Sequence, residues 1–120
     1  MSFTFLQGSD CMSDIKELQQ KIIEFRDARN WAQYHNSKDL ALCLSIEASE
    51  LLELFLWKKA EEADPEKLRA ELADVFYSVL LLARENNIDL KQALLDKLTV
   101  NEKKYPIEKS WGSNKKYTDQ

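Results

Sequence analysis

The sequence predicts an all-α protein, a bundle of four helices completed by pairing chains. Three observations carry this. Glycine and proline number only two each in 120 residues, and 32% of residues are charged, which favours helices over a turn-rich β fold. Apolar residues recur at the helical spacing through four separate stretches. Two of those stretches are apolar on more than one face, so one chain of this length cannot cover them alone.

The elements follow in order. Residues 1–12 have no clear period and read as an N-terminal extension. Asp14 with Glu17 resembles a capping box and opens the first helix, where Ile15, Leu18, Ile22 and Phe25 keep the helical spacing. Trp31 to Ser37 is polar and aromatic and carries a turn. A second helix is predicted from about Lys38 to Lys59. Asp64-Pro65 marks a boundary, with Asp as the cap and Pro at the first helical position. The third helix runs from Pro65 to about Glu85 and stops at Asn86-Asn87. Asp89 caps a fourth, from Leu90 to Lys104, with Ala93, Leu94, Leu98 and Val100 facing inward. Tyr105-Pro106 ends it. Residues 13–106 thus form the helical domain, and residues 107–120 a tail without period, either draped over a partner or mobile.

Leu51, Leu52, Leu54, Phe55 and Leu56 surround the end of the second helix, and Val75, Phe76, Val79, Leu80, Leu81 and Leu82 surround the third. A helix apolar all round must be covered all round, and a homo-oligomer is the simplest cover.

Composition excludes several function classes. A net charge of −4 and a pI near 5.1 argue against nucleic acid as a partner, because duplex binding needs a basic surface. No apolar run approaches the roughly 18 residues of a membrane span, and no secretion signal opens the chain. Cys11 and Cys43 form neither a CxxC pair nor a zinc spacing. Cys43, among Leu40, Leu42 and Leu44, is expected to be a reduced core thiol. The chain reads as soluble and cytoplasmic.

The chemistry lies in four carboxylates. Glu47 with Glu50, and Glu71 with Asp74, are each spaced i, i+3, which puts each pair on one helical face. Leu51 and Leu54 share the face of the first pair, Leu68 and Val75 that of the second. The acids therefore point where the apolar stripe points, toward a neighbouring helix. A single such pair is common on surface helices and means little. Two pairs flanked by leucine and valine are another matter, because buried carboxylates persist only when paired, protonated or bound to metal. Too few bases share these faces to pair them, which leaves a divalent cation. Glu53 is rotated away from Glu47 and is expected to face solvent or a lysine.

The ligand set selects the metal. A di-iron carboxylate bundle needs Glu-x-x-His on two helices, and the one histidine, His35, stands outside any such motif. All-oxygen ligands suit a hard cation, Mg²⁺ with Mn²⁺ as a substitute. Such a cation keeps positions for substrate phosphates, and lysines to meet them are available at Lys58, Lys59, Lys97, Lys103 and Lys104, with Lys115 and Lys116 in the tail. No GxxxxGK[ST] occurs, so the chain is not a P-loop enzyme. Trp31 and Trp57 are candidates for a base-stacking wall. A helical interaction or sensor module that binds metal and nucleotide without turnover is the rival reading.

At these residues the chain resembles the MazG-like all-α nucleoside triphosphate pyrophosphohydrolases, and among them the dCTP pyrophosphatase branch. The resemblance rests on Glu47-x-x-Glu50 and Glu71-x-x-Asp74, on Arg29-Asn30-Trp31-x-Gln33-x-His35, on Leu54-Phe55-Leu56-Trp57-Lys58, and on Lys97-x3-Asn101-x2-Lys104-Tyr105-Pro106. It reaches Gly112-Ser113 and Lys115-Lys116-Tyr117-Thr118-Asp119, and so covers nearly all of the chain after Met12.

The resemblance implies hydrolysis of a nucleoside triphosphate between the α- and β-phosphates. Glu47, Glu50, Glu71 and Asp74 would bind Mg²⁺ and be the catalytic acids. Trp31 and Trp57 would flank the base, while Lys97, Asn101, Lys104 and Tyr105 would contact sugar or phosphates. His35, Asn101 or Ser78 could hydrogen-bond the base edge. Ser78 stands where enzymes of that branch carry a tyrosine, which enlarges the pocket and argues for a broader choice among deoxynucleotides such as dCTP or dATP. A dimer or dimer of dimers is the implied assembly.

Overall fold

The computed structural model describes residues 13–119, and among these every regular element is helical. The helices are α1 (Asp14–Asp27), α2 (Ser37–Glu53), α3 (Pro65–Glu85), α4 (Leu90–Lys104) and the short α5 (Ile107–Ser110). Single 3₁₀ turns stand at Ala32–Tyr34, Ala60–Glu62 and Tyr117–Asp119. No helix among the described residues is long and apolar enough to cross a membrane. The expected extension 1–12, with Cys11, lies outside the described residues.

Caps explain the starts. Ser13, one residue before the expected cap Asp14, accepts a hydrogen bond from the Lys16 amide at 3.2 Å, while Asp14 and Glu17 sit in the first turn, where the helix dipole favours them. Asn36 caps α2 by accepting from the Asp39 amide at 2.9 Å. Asp64 caps α3 through the Glu66 and Lys67 amides, with Pro65 at the first helical position. Asp89 caps α4 through the Gln92 amide at 3.0 Å. At the far end of α3, Asn87 takes a left-handed φ of 53° and the Ile88 amide returns to the Ala83 carbonyl.

The end of α2 departs from the prediction. The α-helix stops at Glu53, not near Lys59, and the chain tightens as the amides of Leu54, Phe55 and Leu56 bond to carbonyls three residues back. Trp57 then adopts φ of 64° and turns the chain. The last turn of α2 has no basic residue and ends on an acid, so nothing opposes the negative end of its dipole.

The chain divides into two compact units between Ile88 and Asp89. In the first, α2 and α3 run antiparallel: the Asn86 amide after α3 donates to the Ser37 hydroxyl that opens α2. Helix α1 lies along α3, tied by Gln19 to the Leu80 carbonyl at 2.9 Å and by Arg26 to Glu85 at 3.4 Å. Ile23, Leu40 and Leu81, one from each helix, form the buried centre, with Ile22, Tyr77 and Leu82 packed on it.

This core is small. Leu42, Ile46 and Leu52 of α2, and Leu72 and Phe76 of α3, remain exposed. Cys43 is exposed as well, not buried as its leucine neighbours suggested, because its face of α2 borders an open cavity.

In the second unit no residue of α4 is buried, and Ala93, Leu94, Leu98 and Val100, expected to face inward, are exposed. The tail after Tyr105 has more order than its aperiodic sequence suggests. Its Tyr117 meets Tyr105 edge-on at 5.8 Å between ring centroids and lies 5.1 Å from the Lys104 ammonium.

Candidate metal centre and its cavity

Antiparallel packing brings the acidic turn of α2 against that of α3. One carboxylate oxygen each from Glu47, Glu71 and Asp74 lies within 4.8 Å of the others. Ligands across an octahedral Mg²⁺ are about 4.2 Å apart, so the three oxygens stand close to one coordination sphere.

Two further observations fit a cation. Oε2 of Glu47 and Oε2 of Glu71 are buried without a hydrogen-bond partner. The ion pairs of Arg26 go to Asp27 and Glu85, and among the described residues no basic side chain pairs with the cluster. Burial pushes the carboxyl of Glu47 above its usual range, and the charges of Glu50, Asp74 and Glu71 push it further. Glu71 is raised by burial and then by Glu50 and Asp74. A divalent ion removes both penalties at once.

Glu50 stands slightly apart from the trio, within hydrogen-bonding reach of Glu47 and Glu71. It lines a second, more polar cavity of about 440 Å³ together with Glu53 and Glu71. Glu53 is exposed, as expected, and it also borders this cavity. Glu53 stands one turn beyond Glu50 on α2, and its charge also acts on Glu71.

Glu47 and Asp74 also line an open cavity of about 700 Å³, a size suited to a small-molecule ligand. Trp31, Phe25, Phe76, Tyr77 and Ser78 line it too. Trp31 meets Phe25 edge-to-face at 5.8 Å, and the Arg29 guanidinium lies 3.8 Å over the Phe25 ring. Ser78, one turn beyond Asp74, is buried. Burial raises the Tyr77 hydroxyl above its usual pKa, partly offset by Arg26 and Arg29.

The remaining sequence-predicted residues are elsewhere. Trp57 is 99% exposed on the turn after α2, outside this cavity. His35 is half-buried before α2, with its Nδ1 buried and unpartnered, and it does not line the cavity. Lys97, Asn101, Lys104 and Tyr105 belong to α4 and its cap in the second unit. Helix α1 contributes Leu18, Lys21 and Phe25, of which the sequence reading assigned none to the site. A signal existed: Lys21 interrupts the apolar stripe of Leu18, Ile22 and Phe25.

The chain is similar to known proteins. Residues 42–119 match the model of the MazG-like family. The chain is 39% identical to dCTP pyrophosphatase 1 of Bos taurus over 116 residues, covering 90% of this chain and 67% of that protein. It is 35% identical to dCTP pyrophosphatase 1 of Homo sapiens, covering 90% and 66%. The chain thus spans about two thirds of these relatives. A crystal structure of a pyrophosphatase from Archaeoglobus fulgidus DSM 4304 superposes with a TM-score of 0.73 at 37% identity, covering 78% of this chain and 94% of that one. With its acid pairs apposed on antiparallel helices and these relatives beside it, the chain belongs to the MazG-like family.

Proposed function

We propose that this chain, a nucleoside triphosphate pyrophosphohydrolase by its family and relatives, hydrolyses deoxynucleoside triphosphates to monophosphate and pyrophosphate with Mg²⁺, a role in nucleotide-pool control. Mn²⁺ is expected to substitute. The observation that carries the reading is the convergence of Glu47, Glu71 and Asp74 oxygens beside an aromatic cavity that Glu47 and Asp74 line.

Glu47, Glu71 and Asp74, with Glu50 beside them, would hold the ion. When bound, the ion neutralises phosphate charge and acidifies water. One of these four acids, or Glu53 beside them, would orient water for attack. Trp31 with Phe25 offers a face on which a base can stack, and every base has a π-face. Phe76 in the lining is an apolar wall that would offer a ribose 2′-hydroxyl no partner and so favour deoxyribose. We assign sugar and phosphate contacts to Lys97, Asn101, Lys104 and Tyr105 from the family resemblance. The exposed Trp57 serves as a base wall only when a ligand or a second chain covers it. The names of the relatives make dCTP the leading substrate, with dATP allowed because Ser78 leaves room.

Incubation of the pure protein with each deoxynucleoside triphosphate and Mg²⁺, with chromatography of products, tests this. Pyrophosphate with monophosphate is the expected pair, and a diphosphate product would mean a simple phosphatase. No turnover of any canonical or modified triphosphate would favour the rival sensor or interaction module. We also propose a homo-oligomer, supported by the exposed apolar faces of α2, α3 and α4.

A further inference from the structure

A free thiol shares the aromatic cavity with two of the metal acids. Cys43 lines it, is exposed and has no disulfide partner among the described residues. It precedes Glu47 by four residues on α2, so the two side chains lie on one face a turn apart. Ser78 follows Asp74 by four residues on α3 and lines the same cavity. Because the helices are antiparallel and Glu47 meets Asp74, both steps lead the same way, about 6 Å from the acids.

Ser78 marks this part of the cavity as one that receives a polar group. It is 4% exposed, and its hydroxyl has no hydrogen bond among the described residues. A helical serine can bond the carbonyl four residues back, as Ser49 does to Ser45 at 3.1 Å. A buried hydroxyl left unpaired is costly, and a ligand lying across the cavity supplies its partner.

We propose that Cys43 is a modification site at which a small disulfide closes the nucleotide cavity. The inference rests on the nucleotide-binding reading above and adds a control to it. Exposure gives the disulfide access, and the Cys43 thiolate attacks one of its sulfurs. A sulfur–sulfur bond forms to Cys43 as the reagent's own breaks. The Cys43 sulfur is oxidised, and the displaced sulfur leaves reduced, as a thiolate that takes up a proton. Excess thiol reverses the exchange. The attached group then occupies the cavity one turn from the carboxylates, within the length of a nucleotide whose phosphates rest on the metal. A polar tail on that group meets the Ser78 hydroxyl, and an uncharged tail is not repelled by Glu47 and Asp74. Small, uncharged disulfides with polar tails are therefore the class that fits.

The probe is 2-hydroxyethyl disulfide, applied to the full chain carrying Cys11→Ser, so that Cys43 is its one thiol. Intact mass reads the adduct, and pyrophosphate release from dCTP with Mg²⁺ reads the activity. Full labelling is expected to lower activity about 10-fold or more, since a pocket ligand is buried over most of its surface and leaves no room for a covalent neighbour. Excess dithiothreitol should restore activity, saturating dCMP with Mg²⁺ should slow labelling, and the further change Cys43→Ser should make the chain indifferent to the reagent. Full activity in the labelled chain would overturn the proposal. So would an equal loss after Cys43→Ser, labelling that dCMP does not slow, or a chain that labels only once unfolded. Calorimetric titration with dCMP needs no turnover. If the unlabelled chain hydrolyses nothing but binds dCMP, and labelling removes that binding, the proposal stands and the hydrolytic reading falls. If the unlabelled chain hydrolyses dCTP and labelling changes neither activity nor binding, the proposal falls alone. With neither turnover nor binding of dCMP, both fall.

Discussion

At the residue scale, the acids decide most. Glu50→Ala or Asp74→Ala is expected to lower turnover by several orders of magnitude, measured as pyrophosphate release at saturating Mg²⁺. Full activity in either variant, or in excess chelator, would dismiss the metal assignment. The same acids make stability depend on pH. Burial and mutual repulsion raise the carboxyls of Glu47 and Glu71 above 4.5, so the folded metal-free chain holds protons that the unfolded chain has lost. Stability therefore falls as pH rises from about 4.5 through the raised values; the penalty is absent below that window and complete above it. A divalent ion reverses it. Thermal unfolding should show a larger Mg²⁺-induced rise in Tm at pH 8 than at pH 5. Glu47→Gln should raise the Tm of the metal-free protein at pH 8 and reduce the response to Mg²⁺. Equal Mg²⁺ effects at the two pH values would mean that the cluster does not hold the ion.

At the scale of elements, the helix boundaries carry measurable energy. Asp64 accepts from the Glu66 amide at 2.9 Å and caps the helix that presents Glu71 and Asp74. Asp64→Ala should cost about 1 kcal/mol in denaturant unfolding, with the unfolding slope unchanged. A loss below a few tenths would mean that Pro65 alone sets the start of α3. Arg26 acts between elements rather than within one: it is 8% exposed, pairs with Glu85 and lies near Tyr77. Removing it would leave Glu85 unanswered where α1 meets α3, and would loosen the wall that carries Lys21 and Phe25.

At the scale of the whole molecule, apolar surface is the dominant fact. Leu72, Val75, Phe76 and Val79 line an open apolar groove along α3, and Leu72 is half exposed. Covering such a groove with a second copy would contribute about 25 cal/mol for each Å² of apolar surface removed from water. Sedimentation is therefore expected to show an oligomer, and Leu72→Glu should shift it toward monomer. A wild-type chain that sediments as a monomer would dismiss the assembly and leave that groove to another partner.

The sequence by itself determined the fold class, because spacing and caps are local. Asp64-Pro65, Asp89 and Asn86-Asn87 bound their helices as read, since a cap needs only amides within the first or last turn. It also determined which acids could matter, as the i, i+3 pairs on apolar faces are a property of one helix at a time. Only the tertiary structure decided what those acids meet. The packing of α2 against α3 sets Glu53, one turn beyond Glu50, beside Glu71. The exposure of Cys43, the distance of Trp57 and His35 from the cavity, and the arrival of Lys21 and Phe25 from α1 all follow from how three helices pack. Periodicity ranks the faces of a helix, but it does not say which neighbour a face will find.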